Sequence, residues 1–243
     1  MKILAIDSSG LVASVAILVE DCLAAEYTTN FKKTHSQTLL PMLDEIVKMT
    51  GIDLKEIDVI AVAAGPGSFT GLRIGSATAK GLGLALDKPM IEVPTIDALA
   101  YNLYNTKGLI CPIMDARRNQ VYTGIYCFNE SELEVLSQQK AVEIDKLIEE
   151  IQSIQRESKE YEKIVFLGDG VEVHQKRLKE TFGEMVSFAP AHLSKQRAGA
   201  VAVLGAHLFK EGKMINARDH EPVYLRLSQA ERELKEKQAR NKI

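Results

Sequence analysis

Asp7 closes the run KILAID and is followed by Ser8, Ser9 and Gly10. A carboxylate, two hydroxyls and a glycine in one tight turn could hold a metal-bound phosphate, with glycine letting the backbone approach it. A purely structural turn accounts for the residues equally well. A second glycine-rich stretch, AAGPGSFTGLRIG from Ala63 to Gly75, joins an apolar run to a segment of small residues. It does not satisfy G-x-x-x-x-G-K-[ST], and Gly65, Gly67 and Gly71 give G-x-G-x-x-x-G, one residue too long for a dinucleotide fingerprint. The helix N-terminus that follows could still attract an anion weakly.

Other chemistry finds little support. His35, His174, His192, His207 and His220 have no histidine or cysteine three or four residues away, so no metal site is predicted, and His207 reads as a core or boundary residue of an apolar helix. No nucleophile elbow is present, and Ser68 reads as a helix cap. Asp115, Arg117 and Arg118 could fix an anion or a partner carboxylate through the planar guanidinium groups, but pairing among themselves across a hairpin is favoured. Cys22, Cys111 and Cys127 are odd in number and widely spaced, as expected of reduced structural thiols.

The chain of 243 residues is 46% hydrophobic and 26% charged, which predicts a globular protein of one large or two small domains. Its net charge of -3 argues against a self-sufficient nucleic-acid binder, so any nucleic acid would be reached through a partner. With no export h-region and no run of about eighteen apolar residues, a cytoplasmic protein without membrane contact is predicted.

Stepping along the chain, β-rich runs at 2–6, ASVAILVED and CLAAEYTTNF predict an antiparallel meander. A helix follows from His35 to Gly51, with Pro41 expected in its first turns, where a missing N–H costs least. Ile57 to Ala64 reads as a strand covered on both faces, and a helix capped by Ser68 or Thr70 runs to about Leu86. A short strand near Val93 and a helix at 95–104 complete one α/β unit. From Gly108 a second unit holds the hairpin LICPIMDAR/QVYTGIYCF, another strand at VLSQQKAV, the helix IDKLIEEIQSIQ, a charged linker RESKEYE, the strand IVFLG, a helix at 171–181 and the strand MVSFAP. SKQRAGAVAVLGAHLFKEG predicts an apolar helix that packs back on the first unit. The last stretch, from Glu221, carries six Lys or Arg against three Glu after Leu225 and is predicted to be a solvated, frayed helix. The expected division is an N-terminal lobe at 1–105 that carries the dimerisation helices, a C-terminal lobe at 106–191, a helix and tail segment at 192–227 that packs back on the N-terminal lobe, and a polar tail at 228–243.

Gly71, Gly75, Ala79 and Gly83 recur every four residues, so one helix face has almost no side chain and a neighbour must pack very closely. Each glycine costs the helix about 1 kcal/mol relative to alanine. An internal neighbour is the usual case. The sharper alternative is a subunit interface shared with the helix that begins at His35.

MKILAIDSS, VIAVAAGPGSFTGLRIGSATAKGLGLAL, VPTIDALA, IMDARRNQVY and PVYLR, in this order, resemble the TsaB family, formerly YeaZ, of the bacterial system that makes N6-threonylcarbamoyladenosine in tRNA. The resemblance runs from Met1 to about Arg226 and implies the two-lobed α/β fold of the actin, hexokinase and Hsp70 superfamily (ASKHA, ribonuclease H-like), with mixed sheets flanked by helices. It implies a non-catalytic scaffold that forms a heterodimer with the threonylcarbamoyltransferase TsaD, which uses an adenylate supplied by TsaC. The ATPase TsaE joins the complex, tRNA is contacted only through TsaD, and self-association is the alternative in isolation. The transferase's H-x-x-x-H metal pair falls on Thr95 and Leu99, and an acidic pair in its first hairpin falls on Leu11 and Val12. The resemblance therefore implies no catalytic residue, no metal and no cofactor, with Asp7, Ser8 and Ser9 as a vestigial phosphate hairpin. Helices at 35–49 and 70–86 form the family's dimer surface, which gives Leu39, Met42, Leu43, Ile46, Gly71, Gly75, Thr78, Ala79 and Leu82 as expected contacts. An ATP-dependent phosphotransferase or nucleotide-binding regulator remains the alternative, and a peptidase is the third reading.

Overall fold

Alternating and continuous apolar runs build two sheets that repeat one plan. In the computed structural model, which describes residues 1–31, 33–158 and 161–226, the first sheet contains Lys2–Asp7 (β1), Ala13–Val19 (β2), Cys22–Thr29 (β3), Val59–Gly65 (β4) and Met90–Pro94 (β5). The spatial order is β3-β2-β1-β4-β5, with β1 to β3 antiparallel and β4 and β5 parallel to β1. The second sheet contains Leu109–Asp115 (β6), Gln120–Asn129 (β7), Glu132–Glu143 (β8), Ile164–Leu167 (β9) and Val186–Phe188 (β10). Its order, β8-β7-β6-β9-β10, has the same antiparallel and parallel pairings. Duplication of this mixed five-stranded sheet, flanked by helices, is the architecture of the actin, hexokinase and Hsp70 superfamily.

The helices are His35–Thr50 (α1), Phe69–Leu86 (α2), Thr95–Tyr101 (α3), Ile144–Glu157 (α4), Gly170–Phe182 (α5) and Ala198–Lys210 (α6). The apolar sides of α1 and α2 cover one face of the first sheet, where Leu39, Met42, Leu43, Ile46 and Ala79 meet Leu4, Ile6, Ile60 and Val62. Its other face is covered by α6, through Val201 and Ala202 on Ile3, Ala5, Ala61 and Val93. In the second sheet α4 and α5 take one face, and Ile96, Leu99, Ala100 and Leu103 from α3 and its extension take the other. Thus the last helix of each repeat also serves the other repeat's sheet. Both faces of β1 and β4 are dry, which explains their unbroken apolar sequences.

Local details depart from the sequence reading in three places. Pro41 is the seventh residue of α1, beyond the N–H groups that lack helical partners, and it is tolerated on an exposed face. His207 is exposed on α6, edge-on to Tyr101 at 6.2 Å, rather than in the core. Residues 221–226 are not helical: Val223 and Tyr224 are bound to the first lobe and Arg226 to the Ala116 carbonyl of the second, and these contacts replace helical hydrogen bonds. The polar tail at 228–243 lies outside the described residues. Among the described residues no helix is long and apolar enough to cross a membrane.

Candidate functional site

The turn after β1 is seated on the start of α2, and the glycines form the seat. Ser8 Oγ donates to the Gly71 carbonyl at 2.8 Å, and Ser68 N donates to the Ser9 carbonyl at 2.7 Å. A Cβ on Gly67 would lie 2.3 Å from Ser9 O, one on Gly71 would lie 2.1 Å from Ser8 O, and one on Gly75 would lie 2.3 Å from Ser8 Oγ. Further along the helix, a Cβ on Gly83 would lie 2.7 Å from that of Ala217. The small-residue stripe is therefore filled by the chain itself, which corrects its assignment as a direct contact face.

Asp7 is fully buried beneath that turn. Its Oδ1 accepts hydrogen bonds from Ser9 N (2.9 Å) and Ser9 Oγ (2.6 Å). Burial pushes the carboxyl up to about 6, against the opposing pull of the Ser9 bonds and of His35. His35 Nε2 lies 2.9 Å from the Gly10 carbonyl oxygen, so the turn is held by α1 as well as by α2. The side chains of Asp7, Ser8 and Ser9 thus bond to one another and to α2.

Most of the expected contact residues are internal. Leu39, Met42, Leu43 and Ile46 pack on the sheet at no more than 5% exposure, and Gly71, Gly75 and Ala79 are buried by the turn and the core. The physical reason is that the apolar stripe of an amphipathic helix faces its own sheet first. Thr78 and Leu82 remain half-buried beside the exposed Ala77, Gly81 and Ala85. A Cβ on Gly81 would meet nothing within 4 Å. This second small-residue row, headed by the exposed Arg73, is the one that reaches solvent, and the charge at its head is the signal that sequence reasoning missed. Alongside it, Leu40 and Met49 project from α1, and Leu11, Phe31 and Ile74 line a groove of ≈ 700 Å³ at the helix starts.

A cleft of ≈ 310 Å³ separates the lobes and is lined by Ser9, Gly67, Asp115, Arg117, Asp169 and Arg226, among others. Asp115 accepts from Arg117 N (2.8 Å) and pairs with the Arg117 guanidinium at 3.1 Å. Asp169 accepts from Asp115 N at 2.9 Å, and burial raises its carboxyl above the ordinary range. Arg117, Arg118 and Asn119 have φ of 64°, 56° and 58°, a run of left-handed residues that tightens this turn at a cost in strain. At this end of the cleft Asp115 and Arg117 therefore pair with each other, while Asp169 and Arg226 bond to the backbone of the same turn.

His220 was not singled out by sequence spacing, yet it is wholly buried, with Nδ1 2.6 Å from Glu92 Oε1 and Nε2 2.8 Å from Ser76 Oγ. The order Ser–His–Glu matches a nucleophilic triad. Ser76, however, is buried within α2, where the surrounding amides serve the helix rather than an oxyanion, so the trio is a tether. Thr95 Oγ1 accepts from Gly65 N at 3.0 Å, and Leu99 sits in the core at 1% exposure.

A sequence profile of the family described as "TsaD: tRNA N6-adenosine threonylcarbamoyltransferase" matches residues 23–234. A Bacillus subtilis protein named "tRNA threonylcarbamoyladenosine biosynthesis protein TsaB" is 35% identical over 95% of this chain and 96% of its own length. The Escherichia coli protein of the same name is 31% identical over 93% of this chain and 95% of its own. The solved structure "YeaZ from Pseudomonas aeruginosa" superposes with a TM-score of 0.73 at 24% identity, over 92% of this chain and 99% of that one, and so supports the fold. With relatives of this identity matched over nearly their full length, and with a family profile spanning most of the chain, the protein belongs to the TsaB (YeaZ) family, within the broader group described by the threonylcarbamoyltransferase profile.

Proposed function

We propose that this chain is a non-catalytic scaffold subunit for formation of N6-threonylcarbamoyladenosine at position 37 of tRNAs that read ANN codons. The observation that carries the reading is the inward commitment of the hairpin: Asp7 and Ser9 bond to each other and Ser8 bonds to α2. These groups are committed to holding the turn on α2 rather than to a ligand. Leu99, packed in the core where the transferase is expected to carry a metal-binding histidine, supports the same reading. The catalytic partner is TsaD, with TsaC supplying the adenylate and TsaE joining the assembly. In this reading tRNA is reached through TsaD, in the cytoplasm.

The surface for that partner, or for a second copy of this chain when alone, is the outward side of α1 and α2. It presents Leu40, Met49, Ala77, Thr78, Gly81, Leu82 and Ala85, close to the Leu11–Phe31–Ile74 groove. Small exposed residues let a second helix pair approach closely, and the apolar residues beside them supply the area to bury.

Reconstitution tests the reading. With TsaD, TsaC, TsaE and tRNA present, omission of this chain is expected to abolish or sharply reduce modification, and this chain without TsaD is expected to transfer nothing. Transfer by the chain alone would overturn the non-catalytic assignment.

A further inference from the structure

After α6 the chain returns across the first lobe as a non-helical strap, residues 213–226, with a turn at 217–219. Its attachments to that lobe are numerous. Ile215 exchanges both backbone hydrogen bonds with Met90 at 2.9 Å, and Lys80 Nζ donates to the carbonyls of Arg218 and His220, each at 2.9 Å. His220 is wedged between Glu92 and Ser76. Val223 N donates to the Ala64 carbonyl at 2.7 Å, and a Cβ on Gly65 would lie 2.3 Å from Val223 O. Tyr224 stacks on Phe69 with ring centroids 4.0 Å apart.

At its far end the strap changes lobes. The Arg226 guanidinium donates to the carbonyl of Ala116, between Asp115 and the left-handed turn that starts at Arg117. Arg226 also lines the interlobe cleft, together with Ser9, Gly67 and Ser68 on one side and Asp115 and Asp169 on the other. Among the described residues other bridges lie elsewhere: around α3, Tyr126 Oη donates to Asp97 and Asn102 Nδ2 donates to the carbonyls of Leu193 and Lys195, and the chain crosses again at 189–198, where Arg197 pairs with Glu26 and Ala198 N donates to Ser14 Oγ at 2.9 Å. Covalent and packing continuity at α3 and at the 189–198 crossing, with a catch at the cleft, is the arrangement of a hinge and a latch.

We propose that residues 213–226 are a clasp that sets the opening of the interlobe cleft, with Arg226 as its catch on the second lobe. The many contacts on the first lobe hold the strap in place, and among the described residues the Arg226–Ala116 bond is what joins it to the second lobe, so that bond sets whether the lobes are joined there. A guanidinium suits this role because it donates several hydrogen bonds in a fixed plane and never loses its charge. The clasp is independent of which partner the outward face of α1 and α2 receives.

Double electron–electron resonance on the full chain tests the clasp. Spin labels would be placed at Lys55→Cys and Lys146→Cys, exposed positions on separate lobes, in a Cys22→Ser background. Arg226→Ala is expected to broaden the interlobe distance distribution and to raise amide exchange at 116–119 about tenfold, while circular dichroism stays unchanged. Arg226→Lys, which keeps a cationic donor, is expected to fall between the two. Tyr224→Ala, which loosens the end of the strap without touching the catch, should broaden the same distribution. If Arg226→Ala and Tyr224→Ala both leave distances and exchange as in the parent, the clasp is overturned. If Arg226→Ala fails to fold, the Tyr224→Ala and Arg226→Lys distributions decide by the same criterion.

Discussion

At Asp7 burial and hydrogen bonding oppose each other, and burial wins. The carboxyl is raised from 3.8 to about 6, so the folded state binds a proton that the unfolded state has already released between those values. The stability from the neutral carboxyl is fully present below about pH 4 and is lost as pH rises through about 6. Above that the fold carries a buried charge. Asp7→Asn keeps an oxygen for both Ser9 donors and removes the charge, so it is expected to raise stability at pH 7.5 by up to roughly 3 kcal/mol and to lose that advantage near pH 4. Chemical denaturation of both proteins from pH 4 to 7.5 checks this, and parallel curves would show that Asp7 does not titrate in the window. Two glycines of one helix offer a second contrast. Gly71→Ala drives a methyl into the Ser8 carbonyl and is expected to cost about 1–3 kcal/mol, whereas Gly81→Ala meets open space and is expected to stabilise by about 0.5–1 kcal/mol. Thermal melts separate the two, and equal effects would contradict the seat.

The helix α2 has two rows of small residues, and only one was read as such from sequence. Period four at Gly71, Gly75, Ala79 and Gly83 was visible and correctly demanded a close neighbour, but periodicity cannot say whose atoms fill the gap. At Gly71 and Gly75 the gap is filled by Ser8, which is 63 residues upstream of Gly71, and nothing local links the two. The row Ala77–Gly81–Ala85 is equally regular and faces solvent. Strands and helices were legible almost throughout, because burial on one or both faces writes itself into apolar spacing. That the tail segment returns to the first lobe was expected, but the strap's conformation was not legible: a non-helical segment held by backbone bonds, one histidine and one aromatic stack leaves no period, and from Glu221 the polar composition pointed to a frayed helix. Gly81→Arg tests the outward face. It should leave the helix content of the monomer unchanged and prevent association with TsaD, or self-association, in light scattering coupled to size exclusion. Undiminished association would move the contact surface elsewhere.

For the whole molecule, the exchange of terminal helices matters more than the division into two sheets. The first sheet would be bare on one face without α6, which follows the second sheet in sequence, and Ile110, Met114, Tyr126 and Leu167 would be bare without α3, which precedes it. Neither sheet can therefore close its core using only the helices between its own strands. A boundary near residue 105 is convenient in sequence but separates Leu103 from the second-sheet residues it packs against. Baring a face of this kind exposes several large apolar side chains, each worth about 1.5–3 kcal/mol when fully buried. One lobe should then be unable to outlast the other by a wide margin. Scanning calorimetry of the full chain is expected to give a single transition with matching calorimetric and van't Hoff enthalpies. Fragment 106–191, lacking α3, is expected to show no cooperative melt. Two resolved transitions in the full chain, or a cooperative melt of that fragment, would mean that the sheets close their cores separately and that the exchanged helices are accessory.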